Sequence, residues 1–127
     1  MTMIDPIELA KRLIACPSIT PASGRVFDEL EEALLPIGFD VHRFVVGEAP
    51  DGPVENMVAT RGQGSPHFGF AGHLDVVPPG EGWATDPFAP MIEDGQLIGR
   101  GANDMKSAIA AFAAAASRIP EIGRAHV

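Results

Sequence analysis

The chain has 127 residues, a common size for one domain, and its 46% of hydrophobic residues argues against intrinsic disorder. A formal net charge of -8 argues against nucleic acids and anionic membranes as partners, because an acidic surface repels phosphate groups. A signal-peptide pattern is absent at the N-terminus, and Cys16, the single cysteine, has no partner for an internal disulfide. We therefore expect a soluble cytoplasmic protein.

Two amphipathic helices are predicted near the N-terminus. Asp5-Pro6 is typical of a helix start, because aspartate caps free backbone amides and proline suits the first turn. The apolar stripe that follows ends at Pro17. A second helix is predicted from about Arg25 to Leu35, with Gly38 as a left-handed C-terminal cap.

Three strands and a hairpin are predicted next. Residues 39–46, 54–61 and 67–72 are rich in β-branched and aromatic side chains. Residues 91–98 form a hairpin pattern with Asp94-Gly95 at the turn. Helices before and after a set of strands predict an α/β sandwich rather than a bundle or a barrel.

The first motif that could carry chemistry is His73-Leu74-Asp75, which follows the third predicted strand. Because side chains alternate along a strand, His73 and Asp75 point to the same side. The imidazole can bind a divalent metal ion through one nitrogen, and Asp75 is placed to accept a hydrogen bond from the other. An ordinary turn with a hydrogen-bonded histidine fits the same motif.

The second motif runs from Gly99 to Ser107, where Asp104 opens an alanine-rich helix that reaches about Arg118. Glycines before Asp104 let the backbone turn sharply. Aspartate is a common N-cap residue, and this is one interpretation of Asp104. The other is a carboxylate that bridges two cations, which lie about 3.5–4 Å apart in such centres.

Together the two motifs resemble the co-catalytic zinc amidohydrolases, a family of desuccinylases, deacetylases and carboxypeptidases. The resemblance rests on His73-x-Asp75, Trp83 to Phe88, the Asp94-Gly95 hairpin and Gly99 to Lys106. Within the family, the Pro-Ser-Ile-Thr-Pro stretch at 17–21 is similar to the succinyl-diaminopimelate desuccinylase subgroup. The resemblance implies the N-terminal part of a zinc-peptidase-like α/β/α sandwich, with a mixed sheet flanked by helices.

The resemblance also implies roles for individual residues. It makes His73 a ligand of one metal ion and Asp104 a bridge between two. Asp75 would take part in catalysis by orienting His73. The cofactors implied are two divalent metal ions, zinc, cobalt or one of each. The peptide bond between Asp104 and Met105 is expected to be cis.

Five other residues are expected to have structural roles. His42 and His67 lie in predicted strands without acidic neighbours at ligand spacing. Arg100 and Lys106 are expected to be surface residues or to form local ion pairs. Cys16 is expected to be a small buried residue.

We expect residues 1–121 to be the N-terminal portion of the catalytic domain. The resemblance places the general-base glutamate and the remaining metal ligands outside this chain. Residues 122–127 correspond to the codons ATC GGA AGA GCA CAC GTC, which resemble a sequencing adapter, so we expect a non-native tail. No turnover is expected from these residues alone.

The reaction implied is the hydrolysis of N-succinyl-LL-2,6-diaminopimelate to succinate and LL-2,6-diaminopimelate, in lysine and diaminopimelate biosynthesis. An acetylornithine deacetylase or a dipeptidase of the same family stays open as an alternative. A non-catalytic α/β binding module is the alternative from another class. The partners expected are a small-molecule substrate and, for the full-length enzyme, a second copy in a homodimer, with neither nucleic acid nor membrane.

Overall fold

The structure is a computed structural model that describes residues 3–119 and 124–126. Its helices are α1 (Pro6–Ile14), α2 (Arg25–Leu34) and α3 (Ser107–Ser117). Its strands are β1 (Asp40–Val46), β2 (Val54–Arg61), β3 (His67–Gly69), β4 (Met91–Glu93), β5 (Gln96–Ile98) and β6 (Arg124–His126).

The first two helices begin and end where the sequence predicts. The Asp5 carboxylate accepts hydrogen bonds from the backbone N–H groups of Ile7 at 2.9 Å and Glu8 at 3.3 Å, which caps α1. Helix α2 continues into a short 3-10 turn that ends at Gly38. Gly38 has a φ of 96°, so the predicted left-handed cap is confirmed.

Four strands form a mixed sheet in the order β1-β2-β6-β3. Strand β2 is antiparallel to both of its neighbours, β1 and β6, whereas β3 and β6 are parallel. Strand β3 is shorter than the predicted strand 67–72, because β6 offers pairing partners only to residues 67–69. The separate β4-β5 hairpin turns at Asp94 and Gly95, with φ values of 52° and 76°, as predicted.

Strand β6 lies in the segment that the sequence analysis assigns to a non-native tail. Its backbone pairs with Thr60 and Arg61 on one side and with β3 on the other. Residues 120–123 and 127 are outside the described part of the chain. The origin of residues 122–127 and the boundary at residue 121 therefore stay predictions.

The described helices pack against one face of the sheet. Val41, Met57 and Ala59 point toward the helices and join the core, whereas His42 and Val58 point away and are exposed. The core between helices and sheet is apolar and includes Leu9, Leu13, Leu30, Leu34, Phe39, Ile109 and Ala113. Helices on a mixed sheet confirm the predicted α/β fold. Within residues 3–119 and 124–126, every helix is too short or too polar to cross a bilayer.

Candidate metal centre

The segment that carries His73 is held by the chain that follows α1. Val76 donates its backbone N–H to the Ser18 carbonyl at 2.9 Å, and its own carbonyl accepts from the Thr20 N–H at 3.0 Å. This pairing keeps residues 74–76 extended, so side chains alternate. Leu74 and Val76 are buried, and His73 therefore shares its more exposed side with Asp75.

Asp75 contacts one nitrogen of the His73 ring. Nδ1 of His73 lies 3.1 Å from Oδ1 of Asp75 and 3.0 Å from the carbonyl oxygen of the same residue. Both oxygens accept, so the proton is fixed on Nδ1 and the lone pair of the neutral ring lies on Nε2. This is the arrangement that the sequence predicts for an orienting aspartate.

Asp104 does not open a helix, and this part of the sequence prediction is wrong. Helix α3 begins at Ser107, and Asp104 (φ -132°, ψ 94°) and Met105 (φ -141°, ψ 29°) have non-helical backbone angles. The Asp104–Met105 peptide is cis, as the resemblance implies. With its backbone extended, Asp104 is free of the N-cap role, and its Oδ1 lies 3.0 Å from Nε2 of His73.

The His73 ring therefore lies between two acidic side chains. Burial by itself lowers its pKa, but the hydrogen bonds to Asp75 and Asp104 and the charges of both carboxylates outweigh this, so the pKa of His73 lies above its ordinary value. In the neutral ring, the Nε2 lone pair would face the Asp104 oxygen. Two electron pairs repel each other, so a proton or a metal cation must lie between these two atoms.

A cleft of about 230 Å³ is lined by His73 and Asp75, whereas Asp104 is not among its lining residues. The His73 and Asp104 side chains are 47% and 82% exposed, so both are open to a ligand from solvent. Residues 3–119 contain no group of three or more His, Cys, Asp or Glu side chains arranged to hold a metal ion. The cleft combines polar groups with an apolar wall formed by Phe27, Leu30, Met57, Phe70 and Ile109.

Lys106 has a role that the sequence analysis missed. It was expected at the surface or in a local ion pair, but it is fully buried, and its Nζ donates to the carbonyls of Leu13 at 2.8 Å and Cys16 at 3.1 Å. Burial lowers the pKa of Lys106 to about 8. One signal in the sequence was available: no acidic residue lies three or four positions from Lys106 to pair with it along a helix.

Arg100 also differs from expectation. Its guanidinium donates to the Pro79 carbonyl at 3.3 Å and lies 5.3 Å from the centre of the Trp83 ring. Arg100 therefore holds the loop that contains Pro79 and Trp83 instead of forming an ion pair. Structural roles fit the remaining candidates: His42 stacks on Phe44, and Cys16 is buried, as predicted. His67 lies in β3.

Comparison with known proteins shows which family this chain is similar to. The model of peptidase family M20/M25/M40 matches residues 69–127. The chain is 65% identical over 117 residues to succinyl-diaminopimelate desuccinylase of Rhizorhabdus wittichii, and 68% identical over 118 residues to that of Sphingopyxis alaskensis. In both alignments it covers 92% of its own length and spans 31% of the relative.

Two solved structures share the fold. Human carnosine dipeptidase 1 superimposes with a TM-score of 0.78 at 26% identity, covering 95% of this chain and 30% of that protein. Aminopeptidase PepT from Bacillus cereus gives a TM-score of 0.72 at 22% identity, covering 98% of this chain and 36% of that protein. The family model over residues 69–127 and these relatives make the chain similar to proteins of peptidase family M20/M25/M40.

Proposed function

We propose that this chain supplies part of the metal centre of an amide hydrolase that converts N-succinyl-LL-2,6-diaminopimelate to succinate and LL-2,6-diaminopimelate. The observation that carries the proposal is the 3.0 Å separation between Nε2 of His73 and Oδ1 of Asp104. The substrate is inferred from the names of relatives that are 65% and 68% identical to the chain. The chain spans about a third of their length, so the activity belongs to a longer protein.

The two side chains fit a shared divalent cation. Zinc binds imidazole nitrogen and carboxylate oxygen at about 2.0–2.2 Å, which puts two tetrahedral ligands about 3.3 Å apart. The observed separation of 3.0 Å is close to this value. Zinc and cobalt both accept this nitrogen and oxygen donor set, and two such ions are proposed, with Asp104 as the ligand that they share.

Each residue of the site has a definite task in this proposal. Asp75 holds the proton on Nδ1 of His73, which leaves the Nε2 lone pair available as a ligand. Asp104 supplies negative charge that offsets the repulsion between two cations. When bound, the ions supply Lewis-acid chemistry, polarising the amide carbonyl and lowering the pKa of water.

A chimera tests this function. Residues 1–119 of this chain are joined to the part of the Rhizorhabdus wittichii relative that follows the matched region, and succinate release is measured with added Zn²⁺ or Co²⁺. Activity is expected in the chimera and not in the 127-residue chain alone. His73→Ala and Asp104→Ala are expected to lower activity by more than the roughly 10- to 100-fold loss typical of outer-shell substitutions.

His42→Ala is the matched control. It should leave activity unchanged, because His42 lies on the sheet face that points away from the described helices. A panel with N-acetylornithine and dipeptides discriminates among substrates of the same family. Preferred hydrolysis of either would replace the proposed substrate. A chimera that binds no metal would favour the non-catalytic binding module. A cytoplasmic location and a homodimer of the full-length enzyme remain part of the proposal.

A further inference from the structure

The two proposed ligands lie on two ligand segments, residues 73–76 with His73 and residues 101–106 with Asp104. Lys106 connects the second of these, the Asp104 segment, to the end of α1. Its side chain is fully buried, and its ammonium group donates to the carbonyls of Leu13 and Cys16, 93 and 90 positions earlier in the chain. The Leu13 carbonyl also accepts from the Cys16 N–H at 3.2 Å, so Lys106 adds a second donor there, and a cation at the end of a helix suits the helix dipole. Among the described residues, Lys106 has no carboxylate partner, so these carbonyls alone hold it.

The chain directly after α1 holds the other ligand segment. Ser18 donates its hydroxyl to the carbonyl of Leu74 at 2.7 Å, and both groups are buried. The backbone of Val76 pairs with Ser18 and Thr20 through two hydrogen bonds. Leu74 lies between His73 and Asp75 in the chain, so these contacts fix the position of both side chains.

Residues 13–20 therefore contact both ligand segments, and we call them the brace. The brace meets the Asp104 segment through Lys106 and the His73 segment through Ser18 and Thr20. The Asp104 segment and the His73 segment also approach each other directly at Gly101. A Cβ added there would lie 2.8 Å from Val76 and 3.2 Å from the Lys106 side chain. Only glycine leaves room for the two segments to approach this closely.

We infer that the brace sets the separation between His73 and Asp104, and that Lys106 is a positioning residue for the metal centre. The inference rests on the proposed function for the metal itself. Two ligands on segments 31 residues apart bind one ion more tightly when their separation is fixed before the ion arrives, because less ordering accompanies binding. The brace provides this by connecting the two segments through buried hydrogen bonds.

A matched control exists in the same chain. Arg61 is also buried, and within the described part of the chain its guanidinium donates to carbonyls alone, those of Ile37, Ala116 and Ile119. Arg61 is the last residue of β2, and its guanidinium reaches the end of α3, away from both ligand segments. Arg61→Met and Lys106→Met each remove a buried cation and its hydrogen bonds to carbonyls, so both should reduce stability, but only Lys106→Met disturbs the brace.

The test uses two readouts. Zn²⁺ affinity is measured in the chimera by competition with a chelator, and amide hydrogen exchange of the metal-free 127-residue chain is measured at Thr20 and Val76. Lys106→Met is expected to weaken Zn²⁺ binding by about 10- to 100-fold and to accelerate exchange at both amides relative to global unfolding. Ser18→Ala, a milder change to the brace, should shift both readouts in the same direction.

Arg61→Met should lower stability while leaving Zn²⁺ affinity and the relative exchange rates unchanged. The inference is overturned if Lys106→Met and Ser18→Ala keep wild-type affinity and exchange, or if Arg61→Met reproduces their effects. If Lys106→Met does not fold, Ser18→Ala decides the question by itself. A chimera without Zn²⁺ binding would instead overturn the proposed function, and the exchange measurements would still decide whether the brace couples the two segments.

Discussion

Two oxygens of Asp75 contact Nδ1 of His73: the side-chain Oδ1 at 3.1 Å and the backbone carbonyl oxygen at 3.0 Å. The backbone contact does not depend on which side chain residue 75 carries, whereas the carboxylate contact also places a negative charge next to the ring. The two contributions can therefore be separated by changing the side chain alone.

Asp75→Asn is expected to lower Zn²⁺ affinity of the chimera by about 10- to 100-fold, because the ring loses the charge that makes Nε2 a stronger ligand. Zn²⁺ affinity is measured by chelator competition. Asp40→Asn, at an exposed end of β1, serves as the control and should have no effect. Equal affinities of the Asp75→Asn and wild-type proteins would remove Asp75 from the site.

The pH dependence of metal binding follows from the raised pKa of His73. A proton on Nε2 competes with the metal, so Zn²⁺ affinity should fall as the pH decreases through this pKa, by about tenfold per pH unit below it. Titration calorimetry between about pH 5 and 8 measures this, with the decline beginning above the ordinary histidine value of about 6.5. Affinity that stays constant over this range would contradict the prediction.

The stability of the metal-free chain depends on pH in the opposite direction: the contribution of His73 falls as the pH rises. Because the folded state raises the pKa of His73, it binds the proton more tightly than the unfolded state. This contribution is complete below the ordinary histidine pKa and is lost as the pH rises through the raised value. Urea unfolding of the wild-type and His73→Ala chains at several pH values should show that the difference in their free energies of unfolding becomes smaller as the pH rises.

Glu55 stabilises the contact between α2 and the sheet. It accepts hydrogen bonds from the Arg43 guanidinium and from the Gly24 N–H, both at 2.7 Å, and the Arg43 bond is the main reason that the pKa of Glu55 is lowered. Its contribution to stability is therefore present above the ordinary glutamate pKa and is lost as the pH falls through the lowered value.

Glu55→Gln is expected to lower the free energy of unfolding at pH 7 by about 1.5–3 kcal/mol, the range for hydrogen bonds to charged groups. It should also flatten the acid side of the stability curve, measured by urea unfolding between about pH 3 and 7. Glu93→Gln in the exposed strand β4 is the control. A loss of stability equal at pH 3 and pH 7 would show that the carboxylate charge is not responsible.

Gly101 lies where the Asp104 segment comes close to Val76 of the His73 segment. Gly101→Ala introduces a Cβ 2.8 Å from Val76 and also strains a backbone with a φ of 92°. Gly80→Ala imposes similar strain, at a φ of 75°, with no atom within 4 Å of the new Cβ. The strain alone costs about 1–2 kcal/mol, so thermal or urea unfolding should show a larger loss for Gly101→Ala. Equal losses would mean that the approach to Val76 does not limit residue 101.

Much of the local structure could be predicted because it depends on neighbours in the sequence. Asp5 caps α1 within its own first turn, and Asp94-Gly95 closes a hairpin through the φ angles of those two residues. The relation between His73 and Asp75 is also local, because alternation along an extended chain puts both on one side. These features need no information from distant parts of the chain.

The tertiary structure alone decided how the two motifs meet. The sequence left Asp104 with two interpretations: its non-helical backbone excludes the N-cap, and its contact with His73 supports the proposed cation ligand. Lys106 was misjudged for the same reason: a long flexible side chain is exposed or buried according to what packs around it. Leu13 lies on α1 and Cys16 follows that helix. The lack of a nearby acidic partner could suggest that Lys106 is not in a local ion pair, but no local pattern names partners about 90 residues away.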